Sequence, residues 1–116
     1  MKFERELLKG VAPVVVLEIL SRGRMYGYEL SEAIGRRSGN ILSLGKGTLY
    51  PLLYNLEAKG MVVGEVVRKP KQRKRRYYSI TSRGEEYLAK QKQQLRQFQA
   101  GVGLVLGFGG ASPALA

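Results

Sequence analysis

Nine consecutive residues, Arg68-Lys69-Pro70-Lys71-Gln72-Arg73-Lys74-Arg75-Arg76, carry seven positive charges and no negative one. Guanidinium and ammonium groups at this density neutralise a polyanion and release its condensed counterions. The whole chain has a net charge of +11, so most of the excess sits in this one run. Residues 1–45 add +2 (seven basic, five acidic), 46–67 sum to zero, and 77–116 add +2. A run of this kind also suits an acidic lipid surface, or a solvated loop with no partner.

A second set of polar groups lies upstream. Lys46 can reach a guanine edge or a phosphate, and Thr48 can offer its hydroxyl or set its methyl against thymine. Tyr50 can bond a phosphate through its hydroxyl while its ring packs locally, or be a core tyrosine beside Leu53. Tyr54 and Asn55 follow at helical spacing, and Tyr26 and Tyr28 can either contact phosphates or pack against a neighbouring helix. Gly45-Lys46-Gly47-Thr48 looks like the end of a phosphate-binding loop, but Gly47 stands where that motif needs Ser or Thr, and Asn40 where it needs Gly.

The chain contains neither cysteine nor histidine. Disulfides, thiolate and imidazole metal ligands, most nucleophilic triads and the commonest general base are therefore missing. A binding protein without metal or cofactor is expected rather than an enzyme. The N-terminal residues carry both signs of charge and no signal-type apolar segment follows them directly. The longest uninterrupted apolar stretch, Val11 to Leu17, is far short of the roughly 20 residues that cross a bilayer. A cytoplasmic protein with no membrane partner is expected.

These groups need elements to position them, and 116 residues suffice for one domain. Leu7, Leu8, Val11, Val14, Val15 and Ile19 recur at helical spacing over 4–22. Pro13 argues for a helix that starts near Ala12 and places the proline in its first turn. A second helix opens near Gly27, with Leu30, Ala33 and Ile34 on one face, and breaks at Ser38-Gly39-Asn40. The segment 41–45 is read as a connection that packs inward. A third helix runs from Lys46 or Gly47 to Lys59, with a Leu49, Leu52, Leu53, Leu56 stripe, Pro51 early, and Thr48 near the cap. Residues 61–67 and 75–80 read as strands, so the basic run becomes a hairpin loop between them. Tyr77 and Tyr78 alternate on the second strand, one inward and one outward.

A last helix opens at Thr81 or Ser82, with Glu85 and Glu86 in its first turn. Its apolar residues follow a heptad: Leu88, Leu95 and Val102 at one seam position, Gln91, Phe98 and Val105 at the other. The expected fold is mainly α with a small β-wing. It divides into a winged helix-turn-helix over 1–80, a C-terminal dimerisation helix over 81–106 and a flexible tail over 107–116.

Four blocks in this order carry a family resemblance. They are Tyr26-Gly27-Tyr28-Glu29-Leu30, Gly47-Thr48-Leu49-Tyr50-Pro51-Leu52-Leu53, Leu56-Glu57-Ala58-Lys59-Gly60-Met61-Val62, and Arg76-Tyr77-Tyr78-Ser79-Ile80-Thr81-Ser82-Arg83-Gly84. Together with Leu7-Leu8-Lys9-Gly10 they resemble the PadR family of winged-helix regulators over roughly residues 5–90.

The resemblance implies double-stranded DNA as partner, with the third helix in the major groove and the wing on the backbone or in the minor groove. The implied DNA-binding residues are Tyr28, Lys46, Thr48, Tyr50, Pro51, Tyr54, Lys71, Arg73, Lys74, Arg75 and Arg76. It also implies a homodimer through Leu88, Leu95, Phe98 and Val102, repressing at a pseudo-palindromic operator. A small apolar or aromatic effector belongs to the same picture, since some short relatives hold flat drugs at the dimer centre with a tryptophan on the last helix. This chain has no tryptophan, and Phe98 is the aromatic residue in that place. The competing expectations are a non-specific architectural DNA binder and a membrane-surface module built on the basic loop and the apolar Val102–Phe108 segment.

Overall fold

The structure, a computed structural model, describes residues 2–108. Helix α1 (Arg5–Leu20) buries Ala12, Val14, Val16, Leu17, Ile19 and Leu20. It passes straight through Pro13 instead of starting near Ala12. An interior proline removes one backbone donor and crowds the carbonyl a turn earlier. Tertiary packing outweighs that cost here: Leu8, in the turn before, and Val15, in the turn after, both rest on the core.

Helix α2 (Gly27–Arg37) adds Leu30, Ala33 and Ile34 to that core. The connection to α3 packs inward as the sequence suggests, with Leu44 buried and Leu42 against the core. Ser38 Oγ accepts from the Leu42 N–H (2.9 Å) and Ser31 Oγ donates to the Leu44 carbonyl (3.0 Å), which holds the loop closed.

Helix α3 (Lys46–Ala58) buries Leu49, Leu53 and Leu56. Gly45, not Thr48, occupies the N-cap, and its carbonyl accepts from the Thr48 and Leu49 N–H groups at 3.1 and 2.9 Å. Pro51 lies a turn deeper than the expected position, on the exposed face. The carbonyl it leaves without a donor is that of Gly47, an exposed residue.

Three strands form one antiparallel sheet of order β1-β3-β2: β1 (Met25–Tyr26), β2 (Val62–Arg68) and β3 (Lys74–Ile80). The β2–β3 ladder runs from Val62↔Ile80 to Arg68↔Lys74. Only 69–73 form the hairpin loop, in which Lys71 adopts a left-handed conformation (φ 62°). Arg68 and Lys74, expected in the loop, are strand residues because the ladder extends one residue further toward the tip on each side than the sequence pattern indicated, while Arg75 and Arg76 lie in the strand as expected.

Helix α4 (Ser82–Leu106) starts on Thr81, whose Oγ1 accepts from the Gly84 N–H (3.0 Å) and donates to the Gly60 carbonyl (2.7 Å). Gly84 lies against the Met61 carbonyl so closely that a Cβ has no room. Leu88 is only 6% exposed and belongs to the core of its own chain. That corrects its assignment to a seam: its side chain is already covered by this chain, and the exposed part of the heptad begins beyond it. Gly107 caps the helix in the left-handed region (φ 83°), and the rest of the expected tail, 109–116, lies outside the described residues.

Candidate nucleic-acid interface

Leucines seat α3 from behind and leave its opposite face open. Gly47, Tyr50, Pro51, Tyr54, Asn55 and Ala58 recur at helical spacing and are all exposed, with Lys46 and Thr48 exposed at the N-terminal end. Tyr54 is 79% exposed, so its ring has little support among the described residues. Tyr50 is 43% exposed and its hydroxyl end lies on the backbone of Gly27, at the start of α2, where no side chain would fit. Its ring is thus held by the chain while part of it stays on the surface.

Tyr28 is exposed and donates its hydroxyl to Glu32 Oε2 at 3.4 Å, so it lies on the outer surface of α2. The Tyr26 N–H donates to Glu29 Oε1 (3.3 Å) at the start of the same helix. The Tyr26 ring meets Tyr77 edge-on, with centroids 5.4 Å apart. Tyr78, the inward member of the alternating pair, is buried, and burial pushes its phenol above the ordinary value while Arg76 acts in the opposite direction.

The basic run divides into two parts. At the tip, Lys69, Lys71 and Arg73 are exposed, flanked by exposed Arg68 and Lys74. None of these five makes an ion pair among the described residues. At the foot, Arg75 lays its guanidinium 4.4 Å from the centre of the Tyr26 ring. Arg76 reaches across β2 to α3, where its Nη2 donates to Glu57 Oε2 at 2.5 Å. That hydrogen bond holds the guanidinium above its ordinary pKa. The Gly64 N–H donates to the same carboxylate oxygen at 3.3 Å. The Arg76 guanidinium also lies where a Cβ on Gly64 would be, 5.7 Å from the centre of the Tyr78 ring. Nearby, Arg24 stands 5.0 Å from the Tyr77 ring centre and 3.8 Å from Glu65.

Arg75 and Arg76 are therefore engaged with groups of their own chain, Arg76 while still exposed at the surface, unlike Lys71, Arg73 and Lys74. Arg68, Lys69 and Glu57 are absent from the DNA-binding residues that the resemblance implies. Arg68 and Lys69 belong to the basic run, and Glu57 is the single acid of α3, which was the available signal for an internal partner.

Helix α4 presents a different surface. Phe98 and Val105 are 67% and 85% exposed, Val102 is more than one-third exposed, and Leu95 is half-buried. A cleft of about 230 Å³ lined by Gly10, Val14, Gln91, Gln94, Leu95 and Phe98 runs between α1 and α4. Lys92 Nζ bonds Glu18 Oε1 at 2.7 Å across the two helices, and holds that carboxyl below its ordinary value.

The profile of PadR-like transcriptional regulators matches residues 16–90. The chain belongs to the PadR-like family. Solved structures agree with this across most of the molecule. A PadR-like regulator from Bacillus cereus is 32% identical, with a TM-score of 0.73 over 87% of this chain and 96% of that one. A transcriptional regulator from Thermoplasma acidophilum gives a TM-score of 0.77 at 26% identity, over 89% of this chain and 97% of that one. A Streptococcus regulator is 31% identical, with a TM-score of 0.73 over 88% and 98%. An uncharacterised protein of Lysinibacillus sphaericus is 31% identical over 84 residues, covering 72% of this chain and 77% of the relative.

PadR-like proteins are transcriptional regulators, not enzymes, and this one is a DNA-binding regulator with the winged-helix fold of its relatives. In that fold α2 and α3 form the helix-turn-helix and the β2–β3 hairpin is the wing. Among the described residues, no helix is long and apolar enough to cross a membrane.

Proposed function

We propose that this PadR-like chain is a sequence-specific repressor that binds a pseudo-palindromic operator as a homodimer. The observation that carries the reading is the pairing of an open, polar α3 face with a wing tip whose five cations have no acidic partner among the described residues. In this reading Lys46, Thr48, Tyr54 and Asn55 read base edges, and Pro51 adds an apolar contact. Tyr50 and Tyr28 hold phosphates, and Lys71, Arg73 and Lys74 track the backbone. A two-fold assembly through Leu95, Phe98 and Val102 sets half-sites about 10–10.5 bp apart or at a related spacing. A small apolar or aromatic effector has its place beside Phe98, where the α1–α4 cleft already offers Val14 and Leu95.

Mobility shift with DNA from upstream of the protein's own gene tests the reading. Lys46→Ala should erase the preference for that DNA over unrelated duplex. Arg73→Ala should weaken all duplexes alike and flatten the salt dependence. Equal affinity for every duplex at physiological salt would end the repressor reading. If footprinting also left no discrete protected site, a non-specific architectural binder would replace it, a role that the net charge of +11 would favour.

A further inference from the structure

We propose that Arg76 is a positioning residue that locks the wing to the recognition helix through Glu57, and that it makes no contact with DNA. The inference rests on the reading of α3 and the wing as the DNA-binding surface. Its position in the most basic stretch of the chain would otherwise make Arg76 a phosphate ligand.

Three observations place it elsewhere. Its guanidinium is hydrogen-bonded to Glu57, a residue on α3, 19 positions away in the chain. The same Glu57 oxygen takes the Gly64 N–H, so one carboxylate ties α3 to both strands of the wing. The path of the arginine across β2 exists because position 64 is glycine: any side chain there would occupy the place of the guanidinium. A lysine could not reproduce the arrangement, since a planar fork is what lets one group bond the carboxylate while crossing the Gly64 backbone.

Charge balance points the same way. A phosphate approaching Arg76 would find one of its donors already bonded to Glu57 and would feel the repulsion of that carboxylate. The tip cations present no such obstacle. Arg75 performs a parallel task on the other face of β3, where it covers Tyr26 at the start of α2. The wing is thereby aligned with both helices of the helix-turn-helix, and the tip reaches the backbone at a set distance from the α3 face.

Salt-dependent binding of the full-length protein to its own upstream DNA separates positioning from contact. Arg73→Gln is the reference, and it should lower the magnitude of the log K against log[salt] slope by about 0.9 for each phosphate contact it removes. Arg76→Gln and Glu57→Gln should each weaken binding roughly three- to tenfold, the range of a single hydrogen bond on an exposed surface, with the wild-type slope retained. The double variant should be no weaker than either single one, because both break the same link. Circular dichroism should show the wild-type fold for each variant.

A slope that falls for Arg76→Gln as it does for Arg73→Gln would overturn the proposal. So would tighter binding by Glu57→Gln, the result expected if the acid merely shielded a DNA-contacting arginine. Failure of the wild type to bind in a salt-sensitive way would instead overturn the DNA-binding assignment of this surface.

Discussion

The tip and the foot of the wing use the same residue types within a few positions of one another, yet they meet opposite surroundings. Arg73 and Lys74 extend into solvent without a partner among the described residues, whereas Arg75 covers an aromatic ring and Arg76 is bonded to a carboxylate. The same contrast recurs on α3, where Tyr54 has little support and Tyr50 rests on Gly27. The difference teaches that the charge of a segment counts its cations but not how many are free. Groups held by the protein fix where the surface lies; groups left open are the ones that can exchange water and counterions for phosphate.

Several substitutions break or sharpen this contrast. The largest effect belongs to Leu53→Ala, which removes a fully buried side chain from beneath α3. A loss of about 2–5 kcal/mol is expected by urea unfolding. Both held and open groups should then lose their effect on binding together. Next comes neutralising the tip with Lys71→Gln, Arg73→Gln and Lys74→Gln. With each residue on one phosphate of a two-fold complex, the salt slope should fall by roughly five units with unchanged thermal stability.

A smaller effect is expected for Gly27→Ala, which thrusts a methyl against the Tyr50 hydroxyl and must turn that ring. Binding should weaken several-fold, most visibly in fluorescence-anisotropy titrations at low salt.

The smallest effect concerns Lys92, a held cation far from the wing. It lowers the pKa of Glu18, so their link contributes fully above the ordinary carboxyl value of 4.5 and fades as pH falls through the depressed value. Lys92→Gln should therefore lower the urea midpoint slightly at neutral pH, with the difference from the wild type closing as pH falls below about 4.5.

Much of this arrangement is legible in the chain. The leucine stripe of α3, the Thr81 cap and the position of the basic run all follow from local rules of spacing and hydrogen bonding. What local rules miss is set by distant partners. Strand β1 has only two residues and exists because Tyr77 and Tyr78 offer it a ladder. The helical turns before Pro13 persist because Leu8 finds the core. Leu88 reads as a seam residue until the fold covers it. The pairing of Arg76 with Glu57 depends on the β2–β3 register, which brings Arg76 opposite Val66 and its side chain over Gly64. No window of sequence around either residue contains that information.

Thr81 has a mechanical consequence. Its side chain bonds the Gly60 carbonyl and the Gly84 N–H, and its own N–H bonds the Met61 carbonyl at 3.1 Å. The end of α3, both roots of the wing and the first turn of α4 therefore meet in one stiff hub. Helix α4 is a lever fixed to that hub, 25 residues or about 37 Å long. A tilt of about 5° at the pivot sweeps its far end through about 3 Å, and run in reverse, a few ångströms of travel at Val102 or Val105 turn the reading head by the same small angle.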